Sequence, residues 1–342
     1  MQANSLDEAA EWLYEQGCTD GLPVVIPTEE RVDAMLQGLG LPADHIVAGE
    51  LPPSEVAATI ELIAINAVMA GCVPQYLPVV AAAVAAIGEP EFGLRNVNTT
   101  TNPAAVLTIV NGPIRQELNV NCSHGCLGPG WKANAAIGRA VHLVQLNVAG
   151  AVPAVVSKST HGQPGRYTMC FGEFEEKSPW DPLHVERGFP KEQSTVTVIA
   201  LSGTVNCTDI LSRTPEALMT MMSRSMDVVG SSVMSFRFGE PLLILNPVHA
   251  ALLADHGWTK GDVKHFLYEN TWRPLSHISP YYYDLLRQES GRVVGDKVIL
   301  ARTADDFVIV VAGGLGGHHS VFGETYSMSH PVTKPVPSCQ KS

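Results

Sequence analysis

The run Ala105-Val-Leu-Thr-Ile-Val-Asn111-Gly-Pro-Ile114, followed by Cys122-Ser-His124-Gly-Cys126-Leu-Gly128-Pro-Gly130-Trp131, decides how the chain folds. Its first six residues are apolar or β-branched, and Asn-Gly-Pro ends them abruptly, as a buried strand passing into a turn would. A helix-like stretch opens after Gly130-Trp131. Strand, turn and helix in succession place the chain in the α/β class.

The same signals return further along. Ala58-Thr59-Ile-Glu-Leu-Ile-Ala-Ile, with Cys72 beyond it, resembles Ser194-Thr195-Val-Thr-Val-Ile-Ala-Leu with Cys207 beyond it. Asn111-Gly-Pro is matched by Asn246-Pro, and Gly130-Trp131 by Gly257-Trp258. The offsets are 136 residues from Thr59 to Thr195, 135 from Asn111 to Asn246, and 127 from Gly130 to Gly257. Such ordered self-similarity predicts two related α/β lobes from an internal duplication, 59–145 and 195–270, with the site between them. The match fails in one place. From the asparagine to the Gly-Trp pair the first half takes 19 steps and the second 11, and the additional residues hold Cys122, His124 and Cys126. This reads as a scaffold with a site grafted upon one copy.

Around the two repeats, 1–58 reads as an N-terminal segment packing on the core. It carries helices capped at Ser5 and Thr28 and a strand candidate at Val24-Val-Ile. Residues 146–193 form a long polar and aromatic connection of the kind that bears sites. Residues 271–330 supply further strands and a Gly-rich loop, and 331–342 read as a tail.

Composition sets the outer limits. A chain of 342 residues, 45% hydrophobic and 16% charged, has ample length to bury a core. A formal charge of −12 argues against nucleic acid or an anionic membrane as main partner. No apolar run approaches the roughly 20 residues of a membrane span, and the first residues carry no signal-peptide pattern. Seven scattered cysteines do not read as a disulfide framework, so the expected location is cytoplasmic. Whether the chain forms a homo-oligomer is left open by the sequence.

Cys122, His124 and Cys126 alternate, so an extended segment would present all three on one face. Thiolate and imidazole are ligands of transition metals, and the trio is a candidate metal set. Equally, one thiol could be a nucleophile favoured by the imidazole and a helix N-terminus, or the segment could be an inert loop. Gly128 and Gly130 place flexible backbone ahead of a helix where free N–H groups attract an anion, with Asn134 and Arg139 further along it. Gly314 and Gly316 follow the apolar run Phe307-Val-Ile-Val-Val-Ala and precede His318 and His319, a candidate substrate loop at a strand end. In 173–187, Glu173 could handle protons, and Glu186 could orient His184, two residues away. No nucleotide or flavin motif is present.

Several longer motifs carry a family resemblance: Thr19-Asp-Gly-Leu-Pro-Val, Asn111-Gly-Pro-Ile, Leu127-Gly-Pro-Gly, Ala133-Asn-Ala, Ile137-Gly-Arg-Ala and Ser159-Thr-x-Gly-x-Pro-Gly. Glu175-Glu-x-Ser-Pro-Trp, Leu183-His-Val-Glu-Arg-Gly-Phe and the closing Gly-Gly-x-Gly-x-His complete the set. Together they span most of the chain, which resembles the bacterial UGSC-type (seleno)protein family. That resemblance implies a reactive thiol, acting by redox chemistry or nucleophilic attack. The chain has no Cys-Gly-Ser-Cys, and its nearest thiol pair is Cys122 and Cys126.

These readings converge on an enzyme for a small polar or anionic organic molecule, working by Cys/His-dependent hydration, hydrolysis or elimination. A thiol oxidoreductase cycling Cys122 and Cys126 is the first alternative, and a non-catalytic small-ligand binding protein the second.

Overall fold

A computed structural model describes residues 5–288 and 291–337; of the seven cysteines, Cys339 lies outside the described residues. A hairpin of β1 (Ile46–Leu51) and β2 (Val56–Thr59) precedes the main sheet. That sheet takes β3 (Ala105–Asn111), β4 (Cys170–Gly172), β5 (Thr195–Thr208) and β6 (Leu242–Leu245) from the first part of the chain. A small separate sheet follows, made of β7 (Trp272–Pro274), β8 (Val293–Val294) and β9 (Lys297–Ile299). β10 (Val308–Val311), β11 (His319–Thr325) and β12 (Val332–Pro335) then rejoin the main sheet. The chain is α/β, as its strand–turn–helix signals predicted.

The order of the main sheet is β10-β6-β11-β5-β3-β4, with β12 beside the first residues of β5. Its pairing is palindromic. β3 and β4 are parallel at one edge, β6 and β10 are parallel at the other, and the two central neighbours β5 and β11 run antiparallel. Two backbone bonds bring the edges together: Phe174 N–H donates to the Val311 carbonyl (2.7 Å) and Gly313 N–H to the Cys122 carbonyl (2.9 Å). The sheet therefore curls around an interior of Leu107, Ile109, Phe171, Ile199, Leu242, Ile244, Val308 and Val310, with Cys126 and Leu183 among them. The opposite faces of the same strands pack under helices, in one cluster for each half of the sheet. Alternation along β3 explains the division, since Val106 and Val110 face the helices while Leu107 and Ile109 face inward.

The expected duplication is not shown with the boundaries 59–145 and 195–270. Thr59 caps the helix Ile60–Met69 through Oγ1, which accepts from Leu62 N–H, whereas Thr195 opens β5. Both stretches start with threonine and apolar residues, but Ala64, Asn66, Ala67 and Met69 continue one as a helix. Val196, Thr197, Val198 and Ile199 are β-branched and continue the other as a strand. One sheet also runs through both presumed lobes.

The flanks differ from expectation at two points. The Val24-Val-Ile stretch is not a strand, though Val25 N–H reaches the Met69 carbonyl. Residues 332–335 of the presumed tail form β12, tied down further by an ion pair between Lys334 and Glu89. Ser5 and Thr28 cap their helices as the sequence indicated. Among the described residues, no single helix is long and apolar enough to cross a membrane.

Candidate functional site

β3 ends at Asn111, and the turn Gly112-Pro113 sends the chain into a short helix, Ile114–Glu117, that carries Arg115. Gly112 has a φ of 81°, and a Cβ there would meet the backbone of Gln193 and Ser194, so glycine is required. Beyond the short helix the chain returns to β4, where Gly172 N–H donates to the Asn121 carbonyl (3.1 Å). The segment from Cys122 onward therefore lies where the ends of β4 and β10 converge.

That segment is a tight turn, not an extended strand, and this overturns the idea of one shared face. Cys126 N–H donates to the Ser123 carbonyl and Gly128 N–H to the Gly125 carbonyl. The turn is pinned from the helix Lys132–Asn147 by Asn134. Its Oδ1 accepts from Asn121 N–H (2.8 Å), and its Nδ2 donates to the carbonyls of Asn121 (2.9 Å) and Cys126 (3.1 Å). As a result the three side chains diverge. Cys126 is buried in the interior of the curl, where burial pushes its thiol up to about 11. His124 is exposed and lies over Gly314, where a Cβ would collide with its imidazole ring. Cys122 is half-buried and turns to Arg115. Among the described residues no three His, Cys, Asp or Glu side chains are grouped to hold a metal ion, so Cys122, His124 and Cys126 do not form the ligand set considered from sequence.

Around Cys122 a connected polar network has formed. Arg115 is nearly buried, its Nε lies 3.0 Å from Glu175 Oε1, and its Nη2 lies 2.8 Å from Glu176 Oε1. Asn111 Nδ2 donates to Glu173 Oε2 (2.6 Å) and to Glu175 Oε1 (3.0 Å), and Gly112 N–H adds a bond to Glu175 Oε1 (2.7 Å). Glu173 is fully buried, and its Oε2 also accepts from Leu183 N–H (2.8 Å). Burial pushes the Glu173 carboxyl up, against the pull of Lys260, Leu183 N–H and Asn111. Burial likewise pushes the Cys122 thiol up, the Arg115 guanidinium draws it down, and Glu176 adds to the rise. Buried His184 bonds the Lys191 carbonyl through Nε2 (3.2 Å), while its Nδ1 lies 4.0 Å from Glu175 Oε1. Four buried atoms of this network have no hydrogen-bond partner: Asn111 Oδ1, Arg115 Nε, whose contact with Glu175 is an ion pair only, Glu173 Oε1 and His184 Nδ1.

Other residues singled out from sequence lie elsewhere. Glu186 does not orient His184, because both belong to the helix Leu183–Glu186 and residues two apart on a helix face apart. Its carboxylate pairs instead with Lys260 (3.0 Å) and with Lys264. Arg139 is engaged within the fold. It holds Asp20 bidentately (2.8 Å twice) and the carbonyls of Leu22 and Pro23, fastening the N-terminal segment to the long helix. Gly128 and Gly130 are exposed, and nothing lies near Gly130. Gly316 is also open, with φ at 79°.

His318 and His319 join the end of β6. Asn246 Nδ2 donates to the His319 carbonyl (3.0 Å), His319 Nδ1 bonds Thr208 Oγ1 (3.1 Å), and the His318 ring lies 6.4 Å from that of His249. Arg115, Asn111 and Glu175 were missed as central residues. Their signal was the Asn-Gly-Pro-Ile-Arg run itself, which fixes a polar strand end but cannot name the carboxylates it meets some sixty residues later.

The chain matches no protein-family model and no curated protein.

Proposed function

We propose that the protein is an enzyme acting on a small polar organic molecule through the Cys122 thiol, by hydration, hydrolysis or elimination. The observation that carries this reading is the set of unpartnered buried atoms, Asn111 Oδ1, Glu173 Oε1 and His184 Nδ1, in a network that ends at a half-buried thiol. Buried polar atoms in native proteins are nearly always paired, and exceptions gather where a ligand or a proton is handled. In this reading Cys122 is the nucleophile, Arg115 stabilises its thiolate, Glu173, whose carboxyl burial pushes up, is the proton donor, and His184 relays the proton through Nδ1. A neutral substrate is favoured over an anionic one, because the Arg115 charge is already matched by Glu175 and Glu176.

Redox cycling of Cys122 with Cys126 ranks lower, since Cys126 would have to leave the interior and its raised thiol is a poor attacking group. The likeness to UGSC-type proteins supports the same reactive-thiol reading, with Cys122 as the thiol. The six described cysteines are free, which suits a reducing cytoplasm. The test is a panel of small polar esters, amides, epoxides and hydroxy compounds followed by mass spectrometry with the native chain and Cys122→Ser. Consumption by the native chain alone is the expected result; undiminished turnover by Cys122→Ser contradicts the reading.

A further inference from the structure

The helix Lys132–Asn147 begins at the Cys122 turn, which Asn134 pins, and its other end borders a different cavity. From Asn134 to His142 and Gln145 is roughly 12–17 Å along the axis at 1.5 Å per residue. The cavity has a volume of about 460 Å3 and is lined in part by the loop bearing Gln163, Arg166 and Tyr167. None of the residues around Cys122 lines it. The loop belongs to the Ser159-Thr-x-Gly-x-Pro-Gly motif, to which the thiol site gives no role.

Three polar atoms of the cavity's lining residues are buried without a partner: Arg166 Nη1, His142 Nε2 and Gln145 Oε1. Arg166 Nη2 donates to Ser157 Oγ (2.9 Å), and no carboxylate among the described residues pairs with the guanidinium. The carboxylate that lines the cavity, Asp20, is held twice by Arg139. Gln145 cannot simply turn round. Its Nε2 donates to Asn98 Oδ1 (3.0 Å), and Asn98 is fixed in turn by its bond to the Pro52 carbonyl (2.8 Å), which turns Gln145 Oε1 toward His142, with which it interacts, and leaves it a second lone pair. Burial and the Arg166 charge push the His142 imidazole down to about 4, so it is neutral at physiological pH and does not add a second cation. An unpaired, partly desolvated guanidinium is costly, and an anion in the cavity removes the cost.

We infer that this cavity binds a small monocarboxylate that also carries a hydroxyl group, with the carboxylate on Arg166 and the hydroxyl donating to Gln145. One uncompensated positive charge matches a single carboxylate and not a phosphate dianion. The lone pair left on Gln145 Oε1 calls for a donor on the ligand. A volume of about 460 Å3 lies within the span of small-molecule sites.

Saturation-transfer NMR on the full chain, with lactate, propionate and lactamide as probes, tests this directly. Lactate is expected to bind saturably. Lactamide, of the same shape without the charge, is expected to bind about tenfold more weakly or worse, with propionate, which lacks the hydroxyl, in between. Arg166→Met should abolish the preference for acid over amide, while Cys122→Ser should leave it intact, separating this site from the thiol. If Arg166→Met does not fold, the contrast between acid and amide on the native chain still decides the matter, and Gln145→Leu should remove the contrast between lactate and propionate. Equal binding of lactate and lactamide, no binding of lactate at tens of millimolar, or a preference that survives Arg166→Met overturns the inference.

Discussion

Two strands of the curled sheet lead into an asparagine, β3 at its last residue and β6 one residue beyond, and the two ends have opposite characters. At the end of β6, Asn246 is fully engaged. Its Oδ1 caps the helix Pro247–Asp255 by accepting from Val248 and His249 N–H, and its Nδ2 bonds His249 and the His319 carbonyl. His249 in turn bonds Ser320 Oγ (2.8 Å) and the Asp209 carbonyl (3.0 Å). At the end of β3, Asn111 caps nothing. It holds two carboxylates, and its own Oδ1 is left over beside unpartnered atoms of Glu173 and His184. The same residue at the same kind of strand end closes the structure in one half and leaves chemistry available in the other.

The largest effect that can break this contrast comes from the two thiols. Cys122→Ser should abolish turnover and leave chemical denaturation nearly unchanged. Cys126→Ser, which puts a hydroxyl into the apolar interior, should lower stability by about 1–3 kcal/mol. If Cys126→Ser is harmless and Cys122→Ser unfolds the chain, the roles are reversed. The asparagines come next. Asn246→Ala loses a helix cap and uncovers buried partners, for about 2 kcal/mol in urea unfolding, against about 1 kcal/mol for Asn111→Ala. A larger loss at Asn111 would mark that end as structural too.

Titration sharpens the comparison, because the two ends respond to pH in opposite senses. Glu173 has a raised folded pKa, so the unfolded chain ionises first as pH rises through the ordinary carboxyl value. Stability is lost from there up to the higher folded value. His249 is pushed down by burial, against the pull of Asp209. Stability is therefore full above the ordinary imidazole value and is lost as pH falls from there toward the lower folded one. Glu173→Gln should flatten the first limb and stabilise the chain at neutral pH by on the order of 1 kcal/mol; His249→Gln should flatten only the second. An unchanged pH–stability curve for Glu173→Gln would mean that the carboxyl is ionised in the folded protein. The smallest effect is expected of Glu176→Gln. Freed of that carboxylate, Arg115 draws the Cys122 thiol down, and the pH dependence of alkylation should move to lower pH.

Much of the fold was legible where one signal sufficed: the strand ending at Asn111-Gly-Pro, the caps at Ser5 and Thr28, and the apolar run into residues 313–317. Gly313 and Gly314 pack on the Cys122 turn, Gly313 N–H donating to the Cys122 carbonyl and Gly314 lying against His124. Where two structures share one pattern, reading failed. Ile60–Met69 and Thr195–Thr208 both look like apolar runs after threonine, and only packing makes one a buried helix and the other a central strand. Alternation suggested an extended Cys-x-His-x-Cys, while the asparagine bonds that fold it into a turn come from Asn121 and from Asn134 on the next helix. The carboxylates that meet Arg115, and the cavity between His142 and Arg166, depend on contacts far apart in sequence and leave no local trace.

Site-resolved alkylation of the folded chain tests the central claim most directly. Iodoacetamide is used in limiting amount near neutral pH, and each cysteine peptide is followed by mass spectrometry. Burial raises all five thiols, but for half-buried Cys122 the Arg115 guanidinium offsets part of the rise, whereas Cys72 is pushed to about 12, Cys126 to about 11, and Cys170 and Cys207 are held above the usual thiol range. Cys122 should therefore be labelled before those four, and Arg115→Met should slow it selectively. Labelling of Cys126 or Cys170 ahead of Cys122 in the native fold, or a Cys122 rate indifferent to Arg115, would contradict the assignment of the thiol site to the end of β3.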